Sequence, residues 1–398
     1  MKRIAFINQR YGLEVNGGSE LYTRVVAEHL KENFEVEVLT TKALDYMTWK
    51  DHYEADCEEI NGITVRRFSV DKPRNQAKFD KINAKMLRRK FHEDGDEELW
   101  VDEQGPVCTK LVNYIKENKD KYDLFIFVTY LFYTTCVGIK GVYDKAIMIP
   151  TAHDEPYIHF NYYRDVFENT KGFVFLTDEE KSFVNRLFRN WETPSVVTAM
   201  GIDMPNSIES LMSDPNSTKV PAELQGKYIV YAGRIDEGKN CDKMFTQFIR
   251  YKERFDNDLK LVLMGKNVIP VPEHKDIIYL GFVSEEEKFD YILHSLAMIL
   301  PSKFESLSIS VLEALQVGTP VLVNGECEVL KGHCRKSNAG LYYKGYLEFE
   351  GCLNYIISHH DEMKAIGHNG ISYVNDHYRW DVVVKKLTDF INACCEGL

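Results

Sequence analysis

Short runs of β-branched and aromatic residues alternate with helical apolar spacing through most of this chain, and the alternation falls into two series. In the first, residues 4–8 and 36–41 predict strands flanking a helix over 19–30, where Leu21, Val25, Val26, His29 and Leu30 follow helical spacing. Residues 124–129, 146–150, 172–176 and 195–198 continue it. The second series predicts strands at 228–232, 260–264, 277–280, 298–301 and 320–323. Ser284-Glu-Glu-Glu287 predicts a capping box that opens a helix running to His294. Several runs are apolar on both faces, as parallel strands covered by helices on both sides are. The expected fold class is therefore α/β, built from two doubly wound, Rossmann-like domains.

The length of 398 residues suits two cores rather than one. Between about 207 and 225 the sequence turns polar and breaker-rich, with Asp214-Pro-Asn-Ser-Thr218 and Pro221, which marks a linker. The expected organisation is a first domain over 1–206, a linker over 207–225 and a second domain over 226–378. An amphipathic helix over 379–396 would pack back on the first domain. Hydrophobic residues make up 44% of the chain and charged residues 28%, an ordinary globular balance. A formal net charge of −12 repels phosphate backbones, so no nucleic-acid partner is expected. The 9 cysteines form no C-x-x-C pair, so neither a zinc site nor a redox motif is signalled. No run approaches the ~18 apolar residues of a spanning helix, and the chain opens directly on a strand pattern. The expected location is cytoplasmic.

Residues 72–105 depart from the alternation. Lys78, Lys81, Lys85, Arg88, Arg89 and Lys90 interleave with Phe79, Ile82, Met86, Leu87 and Phe91, and an acidic run over 93–98 follows. The plainer expectation is a solvated helix packed by its apolar face. The sharper one is peripheral contact with the inner face of a membrane or with an acceptor.

Three loops carry candidate chemistry. Asn16-Gly17-Gly18-Ser19 lies between the first strand and first helix, where paired glycines let a ligand approach the backbone. It is not G-x-G-x-x-G, so the dinucleotide fingerprint is absent and a nicotinamide-dependent oxidoreductase is disfavoured. The strand at 228–232 runs into Gly233-Arg234-Ile-Asp-Glu-Gly238-Lys239-Asn240, which projects two cations from a carboxyl edge where open α/β sheets bind ligands. A diphosphate suits that pair, Arg by its fork and Lys as a point charge. The third loop is Lys303-Phe-Glu305-Ser306-Leu307-Ser308, with a helix starting near Ser308 and Glu313 inside it. The amides of Ser306, Leu307 and Ser308, at the positive helix end, would receive anionic oxygens. Glu313 would accept hydrogen bonds from a ribose diol. Thr151-Ala-His153-Asp154-Glu155 follows a strand of the first series, which places His153 at a ligand-facing edge.

Glu305 and Glu313, followed by Ala314-Leu-Gln-Val-Gly318-Thr-Pro320-Val321, resemble the E-x7-E motif of glycosyltransferase family 4, whose fold is GT-B. The segment from Gly233 and Arg234 to Lys239 and Asn240 is similar to that family's phosphate-gripping motif, and Asn16-Gly17-Gly18-Ser19 to its N-terminal glycine loop. Tyr279-Leu-Gly281-Phe-Val283-Ser284 resembles the strand–loop whose backbone reads the base, here at Val283. The motifs keep their order over residues 8–343. The resemblance implies two Rossmann-like domains facing each other across a cleft. It further implies a retaining enzyme that takes a nucleotide-diphosphate sugar to a glycan or lipid-linked acceptor in cell-surface polysaccharide synthesis. Arg234 and Lys239 would neutralise the leaving diphosphate, Glu305 and His153 would contact the transferred sugar, and Glu313 the ribose. No metal and no other cofactor is implied, because the cations and the helix end supply the positive charge.

Two departures from the family pattern stand out. Asn324-Gly325-Glu326-Cys327-Glu328 replaces a glycine-rich P-E segment, and Gly265-Lys266-Asn267 replaces a G-x-G loop. Rival readings are a GT-B nucleotide-sugar epimerase, marked by turnover without an acceptor, and a non-catalytic donor-binding partner subunit, marked by binding without turnover.

Overall fold

The computed structural model describes residues 1–15, 17–89, 91–93, 95–213 and 218–397. The chain divides into two compact units, Met1–Met200 with Trp380–Leu398, and Gly201–Arg379.

The first unit holds β1 (Arg3–Ile7), β2 (Glu35–Thr41), β3 (Cys57–Ile60), β4 (Ile63–Phe68), β5 (Leu124–Val128), β6 (Ala146–Ile149), β7 (Gly172–Phe175) and β8 (Ser195–Val197). They form one sheet in the order β3-β4-β2-β1-β5-β6-β7-β8, parallel except for β3. The β3–β4 hairpin turns on Asn61 and Gly62, both left-handed at φ 51 and 80 as a type I′ turn requires. All five residues of β5 are buried. Each such apolar side chain contributes roughly 1.5–3 kcal/mol of burial. The helix Trp380–Glu396 belongs to this unit: the Lys2 ammonium donates to the Asn392 carbonyl (3.3 Å), and Trp380 stacks on His29 at 3.5 Å.

The segment expected to hold one basic helix folds as a helical pair, Gln76–Arg88 and Asp96–Gln104. Ile82, Met86, Trp100 and Val101 enter the core of the unit. The Trp100 indole N–H donates to Asn83 (3.0 Å), and its ring stacks on Tyr157 at 4.6 Å. Lys85 pairs with Asp96 and Arg89 with Glu93, both at 2.6 Å, so part of the basic face is neutralised internally by the acidic run. Lys90 and Asp94 of these two runs lie outside the described residues.

The second unit holds β9 (Tyr228–Ala232), β10 (Lys260–Met264), β11 (Ile277–Gly281), β12 (Ala297–Leu300), β13 (Val321–Asn324) and β14 (Gly340–Tyr343), in the order β11-β10-β9-β12-β13-β14, all parallel. The expected capping box forms at Ser284 and Glu287, heading the helix Glu285–Leu293. Gly265, at φ 121, lets the loops after β9 and β10 meet, since a Cβ there would lie 2.1 Å from the Gly233 carbonyl oxygen. Part of the breaker-rich stretch read as a linker is folded into this unit. Asn206–Ser213 is a helix with Ile208 buried, and Asp290 accepts hydrogen bonds from the Thr218 hydroxyl (2.7 Å) and the Lys219 amide (2.8 Å). Asp214, Pro215, Asn216 and Ser217 of that stretch lie outside the described residues.

Candidate active site

In the second unit β9 lies between β10 and β12, and the connections leaving its two sides run in opposite senses. A parallel sheet opens a crevice at the carboxyl ends of two such strands. The loop after β9 carries Arg234 and Lys239, and the loop after β12 carries Glu305. They meet: the Lys239 ammonium lies 2.6 Å from a Glu305 carboxylate oxygen, with the Glu305 side chain 11% exposed. Asp236 organises the β9 side. It accepts the Lys239 amide (2.8 Å) through one oxygen and pairs with the Arg234 guanidinium through the other. Asn240, left-handed at φ 62, caps the helix Cys241–Arg254 and donates to the Pro301 carbonyl (3.0 Å), which ties this loop to the end of β12. Asn324 donates to the same carbonyl, also at 3.0 Å.

Beyond Glu305, residues Ser306, Leu307 and Ser308 lead into the helix Ile309–Gln316. Ser308 is its N-cap in a left-handed conformation, φ 72, and its buried hydroxyl has no partner among the described residues. Glu313 lies on the next turn, buried, and the Lys288 ammonium stands 2.8 Å from its carboxylate. Burial pushes the Glu313 carboxyl up, with Lys288 acting against it. Burial also works against the Lys288 ammonium, but Glu313 and Glu285 outweigh it and hold its pKa above the ordinary value. Val283 sits in the loop between β11 and Ser284, half-buried, and that loop adjoins the β10 loop through the Gly265 amide on the Gly281 carbonyl (2.7 Å). Lys266 is exposed.

The remaining candidates lie in the first unit. Gly17 and Gly18 open the helix Gly18–Leu30 above a buried pair, Arg10 and Glu20 (Arg10 Nε to Glu20, 2.9 Å). A Cβ on Gly17 would strike the pinned Glu20 carboxylate at 2.2 Å, whereas Gly18 faces open space. Asn16 of that loop lies outside the described residues. His153 follows β6 and lies 3.5 Å from Glu155, which accepts the Tyr130 hydroxyl at 2.7 Å. The turns into this cluster are strained: Thr129 and Thr151, β-branched, both have positive φ (65 and 51) and their hydroxyls meet at 3.1 Å. Glu180 holds the loop from beneath, accepting the amides of Ala152 and Leu176, each at 2.6 Å. Burial pushes its carboxyl up to about 8, with those amide donors acting the other way.

Several of these residues escaped the sequence reading: Asp236, Lys288, Arg10, Glu20, Glu180 and His333, the last described below. Each acts through a partner distant in sequence or hidden in a loop, and a lone charged residue or histidine carries no period to betray it.

Two facing strand-end loops, a lysine on a glutamate between them and a helix end beside them thus share one crevice of the second unit. Residues 213–372 match the family model described as glycosyl transferases group 1. Over 99% of both chains, the protein is 22% identical to an uncharacterized glycosyltransferase of Methanocaldococcus jannaschii. Its fold is shared with sucrose-phosphate synthase from Thermosynechococcus elongatus (TM-score 0.70, 14% identity, 100% of each chain). It is also shared with Anabaena HepE in complex with UDP and glucose (TM-score 0.65, 12% identity, 99% of this chain and 100% of that one). The protein is therefore a glycosyltransferase with a GT-B fold whose residues 213–372 form a glycosyl transferases group 1 domain.

Proposed function

We propose that the protein is a retaining, metal-independent family 4 enzyme that transfers a sugar from a nucleoside-diphosphate donor to a glycan or lipid-linked acceptor in cell-surface polysaccharide synthesis. The observation that carries this reading is the Lys239–Glu305 pair at the β9/β12 crevice, beside the amides of 306–308. Negative charge grows on the diphosphate as the glycosidic bond breaks. Lys239, Arg234 and the positive helix end would meet that charge where it develops. Glu305, released from Lys239 when a diphosphate takes its place, would accept hydroxyl hydrogen bonds from the departing sugar. Glu313, set by Lys288, suits a ribose diol, and Val283 lies on the loop assigned to the base. His153, braced by Glu155 and the loop held on Glu180, is the sugar contact of the first unit. The test is a thermal-shift screen with UDP, GDP, ADP, dTDP and CMP, with and without magnesium. One nucleotide is expected to raise the melting temperature in proportion to its binding, with magnesium making no difference. A stabilisation that appears only with magnesium would overturn the metal-independent reading.

The same reading places the enzyme at the cytoplasmic face of a membrane. No helix among the described residues is long and apolar enough to cross a bilayer. The helix Gln76–Arg88 instead presents exposed Lys78, Lys81 and Arg88 beside Leu87, and Phe91 just beyond it is 88% exposed. Cations ringing exposed apolar side chains suit an anionic bilayer surface. Lys85 and Arg89 are occupied by Asp96 and Glu93, so the informative charge reversal is Lys78, Lys81 and Arg88 to Glu. That variant is expected to lose sedimentation with vesicles containing anionic lipid while keeping its melting temperature within about 1 °C, since exposed substitutions cost little. Unchanged sedimentation would return the helix to a purely structural role.

A further inference from the structure

His333, on the helix Glu328–Ser337, is fully buried, yet none of the sugar-transfer chemistry above uses it. Its Nε2–H donates to the Leu307 carbonyl at 2.6 Å, and its Nδ1 accepts the Tyr373 hydroxyl at 3.0 Å. The Tyr373 and Tyr378 hydroxyls meet at 3.2 Å. The carbonyl fixes the tautomer, because Nε2 must carry the proton to reach it. Burial depresses the ring's basicity, so the imidazole is neutral and both ring nitrogens are spent.

The far end of this relay has little slack. Tyr373 belongs to the helix His360–His377, which packs on the helix Ile309–Gln316 through Gly367 and Gly370. A Cβ on Gly370 would lie 2.8 Å from the Leu315 carbonyl oxygen, and one on Gly367 2.3 Å from that of Gly318. Backbone meets backbone, so the tyrosine is delivered at a fixed depth. The near end of the relay is the residue between Ser306 and Ser308. Ser308 holds a left-handed conformation that a non-glycine residue keeps only when its surroundings over-determine it. A leucine or methionine would fill the same interior space without needing two polar partners.

We infer that His333 is a positioning residue of the nucleotide site: its grip on the Leu307 carbonyl sets the amides of Ser306, Leu307 and Ser308 in the orientation that receives the donor diphosphate. The inference rests on the donor reading proposed above.

The test is calorimetric titration of the full chain with the nucleotide, among UDP, GDP, ADP, dTDP and CMP, that the wild type binds best, with a melting curve for every variant. His333→Leu is expected to bind about tenfold more weakly, the size of a lost buried hydrogen bond that leaves its acceptor unpaired. His333→Gln, whose amide nitrogen reaches the same carbonyl, should stay within about twofold. Tyr373→Phe, which loosens the imidazole without touching the loop, should weaken binding about threefold. Phe349→Leu trims a fully buried ring elsewhere in the second unit and serves as the control; it should lower the melting temperature and leave affinity alone. A folded His333→Leu protein that binds like the wild type overturns the inference, as does a Phe349→Leu protein that loses as much affinity. Should His333→Leu not fold, Tyr373→Phe decides: weakened binding upholds the role and unchanged binding ends it. A wild type that binds none of the five nucleotides overturns the donor reading itself, a result distinct from any pattern among the variants.

Discussion

Replacing Lys239 by alanine is expected to lower sugar transfer by about 10²–10³-fold, the range for losing one preorganised group from a transition-state charge site. Lys239 is the cation that reaches across from the β9 loop to the β12 loop, whereas Arg234 is half exposed and tied to Asp236 on its own loop. Arg234→Ala should therefore cost less, about 10–10²-fold. The Lys239 side chain is only 33% exposed and neutralises a largely buried Glu305, so its removal should also cost about 1–2 kcal/mol, less than a fully buried pair. Lys239→Met, which keeps the stem, separates the two effects, because its activity should fall as far. The measurement is the initial rate of nucleoside diphosphate release alongside a melting curve. An unchanged rate in a working assay would remove Lys239 from the diphosphate grip.

Acidification is expected to destabilise the second unit through His333. Burial lowers the folded imidazole from the ordinary 6.5 to about 4, with the hydrogen bond to Leu307 opposing that shift and Lys336 adding to it. The unfolded chain takes up this proton below pH 6.5, whereas the folded chain resists until about 4. Between those values the unfolded state binds more protons. The stability that neutral His333 contributes is thus complete above 6.5 and is lost as the pH falls through the window, about 3 kcal/mol in all. From pH 7 to pH 5 the melting temperature should drop by roughly 4–8 °C more in the wild type than in His333→Gln, which cannot titrate. Parallel curves for the two proteins would show that the ring does not titrate as its burial demands.

The parts of the fold set by local pattern were legible in the sequence. The buried parallel strands read as apolar runs, and Ser284 with Glu287 read as the capping box that the structure contains. Lys239 and Glu305, which the structure brings together, stood out because the loops that carry them resemble family motifs. The β3–β4 hairpin carried a clear signal that went unread, Asn61-Gly62 between β-branched runs. At 72–105 charge obscured the pattern: the acidic run heads a second helix and answers the cations of the first. What was not legible is tertiary. Thr177-x-x-Glu180 has the spacing of a capping box, but nothing local says that Glu180 also reaches the Ala152 amide. Lys288 looks like one more surface lysine until the fold brings it to Glu313, and His333 is indistinguishable in sequence from an exposed histidine.

The two cations of the crevice each keep an acid of their own, Arg234 on Asp236 and Lys239 on Glu305. On the proposed reading an arriving diphosphate would not find bare positive charge; it would have to displace two carboxylates that stay tethered beside the site. Two consequences follow from that bookkeeping. Nucleotide affinity should depend less on ionic strength than an unpaired arginine–lysine site would, because internal counterions already occupy the place that salt anions would take. Departure should be quick as well: when the spent diphosphate leaves, the two carboxylates close behind it, and neither cation is left facing a low-dielectric wall alone.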